Sequence, residues 1–292
     1  MIKLGLIGHP VAHSLSPIMH QVALDACGLE GEYRLYPVPP LPEGQEELDK
    51  LIEAVRIGEI NGVNVTIPHK RTVMPLLHEL TSTAKSIGAV NTIFLRNLRL
   101  VGDNTDAPGF LADLFLRLSD YIKGKLDTPA ALILGAGGSA RAVAYALSQV
   151  GWQVSVAARR EEQARELLSS VLQDVHTNPI ALHLSADSLR RRVDSSPKII
   201  LVVNTTPLGM HPNIQANPWP DSVPIPAGAF IYDLVYNPRE TAFIKAAQAA
   251  GLPSCSGIGM LVEQAALSFE RWTGLPAPRL DMARSVDPDR LF

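Results

Sequence analysis

Strand-like and helix-like segments alternate along almost the whole chain, which predicts an α/β fold with parallel sheets. Two further observations sharpen that expectation. A glycine loop, Gly135-Ala136-Gly137-Gly138, sits between a short apolar strand and a helix, as in a doubly wound nucleotide fold. A length of 292 residues, at about 150 per domain, suits two domains.

The elements follow in order. Residues 2–8 read as a strand ended by Gly8-His9-Pro10. Ser16-Pro17 opens a helix, with Ser16 suited to the N-cap and Pro17 to the first helical position. A strand near 32–38 precedes a helix over about 43–57, closed by Gly58. Gly62 to Ile67 is a short strand stopped by Pro68, and 89–95 and 99–102 form strands around a turn at Asn97. A helix from Pro108 to Leu118 leaves this first unit, and the polar stretch Lys123 to Pro129 reads as a linker. The second unit runs strand 130–134, helix 138–150, strand 153–157, helix 161–172, then strands 198–203 and 230–234. Residues 211–228 are Pro-rich without periodicity and read as a surface loop, and Met260 to Thr273 is an amphipathic helix.

Composition removes several classes of function. With 46% hydrophobic and 19% charged residues the chain can bury a substantial core. A net charge of −3 does not suit a nucleic-acid binder, which needs a basic field against phosphates. The longest aliphatic run, Ile199 to Val203, is far short of the ~18 residues that span a membrane. Residues 1–7 are too short for a signal peptide. Cys27 and Cys255 are too few for a zinc cluster or a disulfide framework and read as reduced cytoplasmic thiols. Gly8 and Pro10 break any helix that would align His9 with His13, so no metal site is expected. The expected partner is a small molecule.

The loop Gly135-Ala136-Gly137-Gly138-Ser139-Ala140 fits Gly-x-Gly-x-x-Ala. Gly135 permits the tight turn, Gly137 lets backbone approach a pyrophosphate, and Ala140 allows close helix packing. The helix N-terminus adds free N–H groups and a positive dipole end. The next strand ends at Ala158 without the carboxylate that binds the ribose hydroxyls of NAD; Arg159-Arg160 follows instead. Two guanidiniums suit a 2′-phosphate and point to NADP. The alternative is two solvated arginines paired with Glu161 and Glu162.

In the first unit, polar residues gather at strand ends: Ser14 and Ser16, Asn64, Thr66 and Lys70, Asn91, and Asp106. Hydroxyls, amides, one ammonium and one carboxylate suit a small polyhydroxylated substrate. Bland roles stand beside the functional ones. Ser16 could only cap its helix, Asn64 and Asn91 could only satisfy turns, and Lys70 could be a surface lysine. Lys70 would then start a helix, where a cation is disfavoured.

Taken together, these segments closely resemble the shikimate dehydrogenase family. The resemblance rests on Gly8-His9-Pro10 with Ser14-Leu15-Ser16-Pro17, Asn64-Val65-Thr66-Ile67-Pro68-His69-Lys70, Gly88-Ala89-Val90-Asn91-Thr92 and Asn104-Thr105-Asp106-Ala107-Pro108-Gly109. It continues through the glycine loop, Asn204-Thr205-Thr206-Pro207-Leu208-Gly209-Met210, Asp233-Leu234-Val235-Tyr236-Asn237-Pro238 and Gly257-Ile258-Gly259-Met260-Leu261-Val262-Glu263-Gln264.

The resemblance implies a substrate-binding catalytic domain over 1–106, completed by 258–292, and a Rossmann-like NADP domain over 107–257, with a cleft between them. It implies reversible NADPH-dependent reduction of 3-dehydroshikimate to shikimate, in aromatic amino acid biosynthesis, by a cytoplasmic monomer or homodimer. Ser14, Ser16 and Tyr236 would hold the substrate carboxylate, and Thr66, Asn91, Asp106 and Gln264 its ring hydroxyls. Lys70 and Asp106 would be the catalytic pair. Asn204, Thr205, Leu234, Gly257 and Met260 would border the nicotinamide, with Gly135, Ala136, Gly137, Gly138, Ser139, Arg159 and Arg160 on the rest of the cofactor. Two rivals remain: a quinate/shikimate dehydrogenase using NAD, and a cofactor-binding regulatory module without chemistry. The missing carboxylate after Ala158 speaks against the first, and intact Lys70 and Asp106 against the second.

Overall fold

The computed structural model describes residues 1–122, 129–172, 178–195 and 197–288. Of the linker expected over Lys123 to Pro129, residues 123–128 lie outside the described residues. Two compact units result, one from Met1–Gly109 with Leu261–Phe292, the other from Phe110–Met260.

The first unit begins with β1 (Ile2–Gly8), α1 (Ser16–Ala26), β2 (Gly31–Pro37), α2 (Gln45–Arg56) and β3 (Gly62–Val65). Then come β4 (Glu79–Leu80), α3 (Ser82–Ile87), β5 (Thr92–Arg96) and β6 (Arg99–Asp103). Its sheet order is β2-β1-β3-β5-β6-β4. β1 runs parallel to β2 and β3, whereas β3–β5 and β5–β6 are antiparallel, so this sheet is mixed. The β5–β6 pair is a hairpin that turns at Asn97 and Leu98, both at positive φ (51° and 59°), as a tight turn between strands requires. One face of the sheet packs on α2 through Leu48, Leu51, Ile52 and Val55, spaced as one helical stripe.

The helix α4 (Asp106–Ile122) leads into the second unit. There β7 (Ala130–Leu134), α5 (Gly138–Gln149), β8 (Gln153–Ala158), α6 (Glu161–Val171), β9 (Ile180–His183), α7 (Ala186–Asp194) and β10 (Ile199–Asn204) follow. β11 (Phe230–Asp233), α8 (Ala242–Ala249) and β12 (Ser254–Ser256) complete it. The sheet order β12-β11-β10-β7-β8-β9 is the doubly wound dinucleotide-binding order, and every pair is parallel. β7 is buried at all five positions, because a parallel sheet carries helices on both faces. The Pro-rich stretch 211–228 forms turns without helix or strand, and Trp219 anchors it by donating from Nε1 to the Val223 carbonyl at 2.7 Å. The helix α9 (Ile258–Thr273) returns the chain to the first unit, and α10 (Arg279–Val286) packs on α1. Among the described residues no helix is long and apolar enough to cross a membrane.

One local expectation is corrected. Ser16 is the first residue of α1 rather than its cap; the preceding Leu15 occupies the cap position without a side-chain bond. The Ser14 hydroxyl instead accepts from the Ser16 N–H at 3.2 Å, a turn that satisfies a first-turn donor from two residues upstream.

Candidate active site

Topology gathers the first unit's polar residues at one end of its sheet. Ile7 lies opposite Val65, so the segments after β1 and β3 emerge together, one with Ser14 and Ser16, the other with Thr66 and Lys70. The antiparallel step from β3 to β5 pairs Asn64 with Thr92, which brings the start of β5, and Asn91 before it, to that same end. Thr92 pairs in turn with Asp103, so β6 also ends there and delivers Asp106.

Lys70 and Asp106 meet with Nζ 2.6 Å from Oδ2, their side chains only 14% and 7% exposed. That excludes a solvated surface lysine. Lys70 also does not start a helix: it lies in a turn whose carbonyl accepts from the Val90 N–H at 2.8 Å. Its partner sits in the first turn of α4, where the dipole favours a carboxylate. The Asn104 side chain, two residues before α4, caps its first turn: Oδ1 accepts from the N–H groups of Asp106 (3.1 Å) and Ala107 (3.3 Å).

Asp106 is held from its other oxygen as well. Asn91 Nδ2 donates to Asp106 Oδ1 at 2.9 Å and to Thr105 Oγ1 at 2.9 Å, and Asn91 Oδ1 accepts from the Thr105 N–H at 2.8 Å. Gln264 Oε1 stands 3.4 Å from the same Asn91 amide, so α9 joins the cluster as expected. With both amide hydrogens engaged, Asn91 is placed to orient Asp106. Asn64 is wholly committed to the fold: Tyr33 donates to its Oδ1, and its Nδ2 serves the Asn91 carbonyl, Thr92 and Ser268. Thr66 and Ser14 remain partly open at the strand ends, and Ser16 is nearly buried.

The second unit presents a different kind of site. Gly135 adopts φ +110°, and a Cβ there would lie 2.6 Å from Thr205 Oγ1, so only glycine fits. Gly137 has no protein atom within 4 Å of where a Cβ would stand, which leaves its backbone open to a ligand. As the cap of α5 it offers no side chain, so the first-turn N–H groups beside Gly138 and Ser139 have no side-chain cap. Ala136 is half-buried in the same loop. Arg159 and Arg160 are exposed, and their guanidiniums have no ion pair or hydrogen bond among the described residues. Glu161 pairs with Arg165 on its own helix instead of with them. An open glycine cradle, a helix N-terminus and two unengaged guanidiniums fit a pyrophosphate and an adenosine 2′-phosphate.

Around the ends of β10 and β11 the residues are more engaged. Asn204 is fully buried; its Oδ1 accepts from Thr206 N and Oγ1, and its Nδ2 donates to Asp233 Oδ1 at 2.8 Å. Thr205 Oγ1 donates to the Leu134 carbonyl at 2.7 Å. Asn204 and Thr205 therefore shape the loop. Asp233 also accepts from Thr241 Oγ1 at 2.6 Å and the Val235 N–H, yet burial pushes its carboxyl up to about 6. Gly257 packs against the Leu234 backbone, Met260 is buried, and Tyr236 follows β11 half-buried.

Several members of the network were not singled out in the sequence: Thr92, Thr105, Ser268 and the capping Asn104. The available signal for Ser268 was a hydroxyl one turn beyond Gln264 on the same helix face.

Comparison with known proteins gives a consistent result. A family model described as shikimate dehydrogenase substrate binding domain matches residues 6–93, and one described as shikimate 5′-dehydrogenase C-terminal domain matches 257–286. The chain is 41% identical to shikimate dehydrogenase (NADP(+)) of Carboxydothermus hydrogenoformans, over 97% of this chain and 95% of that one. It is 40% identical to the enzyme of the same description from Symbiobacterium thermophilum, over 97% and 92%. Among solved structures, shikimate 5-dehydrogenase from Thermus thermophilus, in complex with NADP(H) and shikimate, superposes with a TM-score of 0.80 at 36% identity and 99% coverage of both chains.

Proposed function

The chain belongs to the shikimate dehydrogenase family, and from that premise we propose that Lys70 is the proton donor of its reaction and Asp106 the group that orients Lys70. The protein is an NADP-dependent oxidoreductase that reversibly reduces 3-dehydroshikimate to shikimate in the shikimate pathway. The observation that carries the residue assignment is the buried 2.6 Å contact between Lys70 Nζ and Asp106 Oδ2.

NADPH, when bound, supplies the hydride that reduces the ring ketone. As that carbon is reduced, negative charge grows on its oxygen. The Lys70 ammonium stabilises this charge and donates a proton to it. Asp106 fixes the direction of the Lys70 side chain, and Asn91 fixes Asp106. Ser14, Ser16 and Thr66, at the same sheet end, bind the substrate's carboxylate and hydroxyls, with Gln264 beside Asn91. Gly135 to Ser139 hold the pyrophosphate, and Arg159 and Arg160 the 2′-phosphate, which selects NADP over NAD. Cys27 and Cys255, which form no disulfide, support a cytoplasmic location.

The test is NADPH consumption with 3-dehydroshikimate, run beside NADH and in the presence of a chelator. Turnover that prefers NADPH and ignores the chelator is expected. A properly folded preparation without turnover, or one that turns over quinate with NAD better, contradicts the reading.

A further inference from the structure

The buried hydroxyl of Ser268 lies in the framework that carries the catalytic groups. Ser268 lies on α9 with no exposed surface. Its Oγ is 2.9 Å from Asn64 Nδ2, 2.8 Å from Thr92 Oγ1, 3.1 Å from Thr105 Oγ1 and 2.9 Å from the Gln264 carbonyl. Those partners come from β3, β5, the turn before α4 and its own helix. Thr92 follows Asn91 in sequence, and Thr105 precedes Asp106.

The hydrogen count gives the hydroxyl a defined place. Its one hydrogen goes to the Gln264 carbonyl, one turn back along the helix. Its two lone pairs accept from the Asn64 amide and from the Thr105 hydroxyl, because the Thr92 hydroxyl donates to Asn91 Oδ1 at 3.0 Å. The Thr105 hydroxyl accepts from Asn91 Nδ2 in turn, and that amide also holds Asp106. A continuous set of bonds therefore runs from Ser268 through Thr105 and Asn91 to Asp106 and Lys70.

Ser268 also belongs to a polar stripe on α9. At helical spacing, Gln264 reaches Asn91, Arg271 Nε donates to Asp103 Oδ2 at 2.8 Å, and Trp272 Nε1 donates to the Ile93 carbonyl at 3.1 Å. The stripe pins the strand ends that carry the site, and Ser268 is its central point.

We propose that Ser268 is a positioning residue for catalysis, which sets the geometry of the Lys70–Asp106 pair by tying Thr105 and Asn64 to α9. This rests on the reading of Lys70 and Asp106 given above. Loss of the hydroxyl loosens Asp106 and slows proton donation, whereas substrate binding through Ser14, Ser16 and Thr66 lies elsewhere.

Ser268→Ala tests it, because alanine fits the space and suits a helix. The variant is expected to lower kcat about tenfold or more, in line with small misplacements at catalytic groups, with KM for 3-dehydroshikimate changed by less than about threefold. In an Asp106→Asn background the same substitution is expected to cost nothing further, because the group it positions is already lost. Thr273→Ala, which removes a hydroxyl from the end of the same helix outside the network, controls for general loosening and keeps kcat. Should Ser268→Ala fail to fold, Ser268→Cys, which keeps the shape and weakens the bonds, carries the same expectation. A folded Ser268 variant with normal kcat overturns the proposal, as does an undiminished further loss in the Asp106→Asn background. If wild type turns over but Lys70→Ala keeps its kcat, the underlying reading has failed instead.

Discussion

In the first unit the polar groups of the site face one another. Lys70 meets Asp106, Asp106 meets Asn91, and Asn91 meets Thr105 and Gln264, nearly all out of water. In the second unit the corresponding groups stand open: Gly137 has nothing within 4 Å of its missing Cβ, and the Arg159 and Arg160 guanidiniums have no partner among the described residues. The difference fits the two tasks proposed for them. Donating a proton demands fixed geometry before the substrate arrives, which a closed hydrogen-bond network supplies. Holding a large anionic cofactor demands unsatisfied donors and room for backbone approach, which glycine, a helix N-terminus and exposed guanidiniums supply. A closed network should fail in rate when cut, and an open cradle in affinity.

The largest expected effect breaks the first unit. Lys70→Ala should lower kcat on the order of 10²–10⁴, the usual size of general acid–base catalysis, with a smaller change in KM. Lys70→Arg should not restore the rate, because guanidinium keeps the charge but does not readily give up its proton. Near-normal kcat in folded Lys70→Ala would place proton donation elsewhere.

A second contrast lies in pH. His20, buried and stacked on Tyr33 at 4.4 Å, is pushed down to about 3 by desolvation. A depressed imidazole stabilises the fold above about 6.5 and loses that contribution as pH falls toward 3. Asp233 runs oppositely: its carboxyl, raised from 3.8 to about 6, favours the fold below about 4, and that contribution is lost as pH rises through 6. Each is worth a few kcal/mol. Segment-resolved hydrogen exchange between pH 7 and 4 should therefore show β1–β3 loosening while β10–β11 tighten. His20→Phe should flatten the first trend; parallel trends in both sheets would refute the assignment.

The glycine loop separates strain from access. Gly135→Ala should destabilise the second unit by about 1–3 kcal/mol, since its φ of +110° and the close Thr205 hydroxyl leave no place for a methyl. Gly137→Ala, at φ −84°, should fold normally and raise KM for NADP. Thermal melts and cofactor kinetics distinguish them, and equal melting losses would remove the distinction.

The smallest effect concerns cofactor choice. Arg159→Ala with Arg160→Ala should raise KM for NADP roughly tenfold and leave KM for NAD almost unchanged, because only NADP carries the phosphate. Equal changes for both cofactors would show that these arginines do not read it.

The two regions also differ in how far the sequence reveals them. The second sheet was legible because its motif is local: glycine loop, flanking strand and helix are contiguous in the chain, and parallel order follows from the alternation. The named residues of the first site were legible as strand-end polar groups, but the antiparallel β5–β6 insertion that assembles them depends on long-range pairing. Short elements such as β4, β12 and α3 escaped notice because too few residues carry a period. Ser268 and Thr105 stayed hidden for another reason: a hydroxyl in a helix or turn looks the same in sequence whether it faces water or joins a buried network.

The most direct test of a closed catalytic network is a double-mutant cycle on kcat with Lys70→Ala and Asp106→Asn. If Asp106 acts by orienting Lys70, the double variant should be hardly slower than Lys70→Ala alone, so that the two losses are far from additive. Fully additive losses in folded variants would mean that the two residues act independently and would contradict the account.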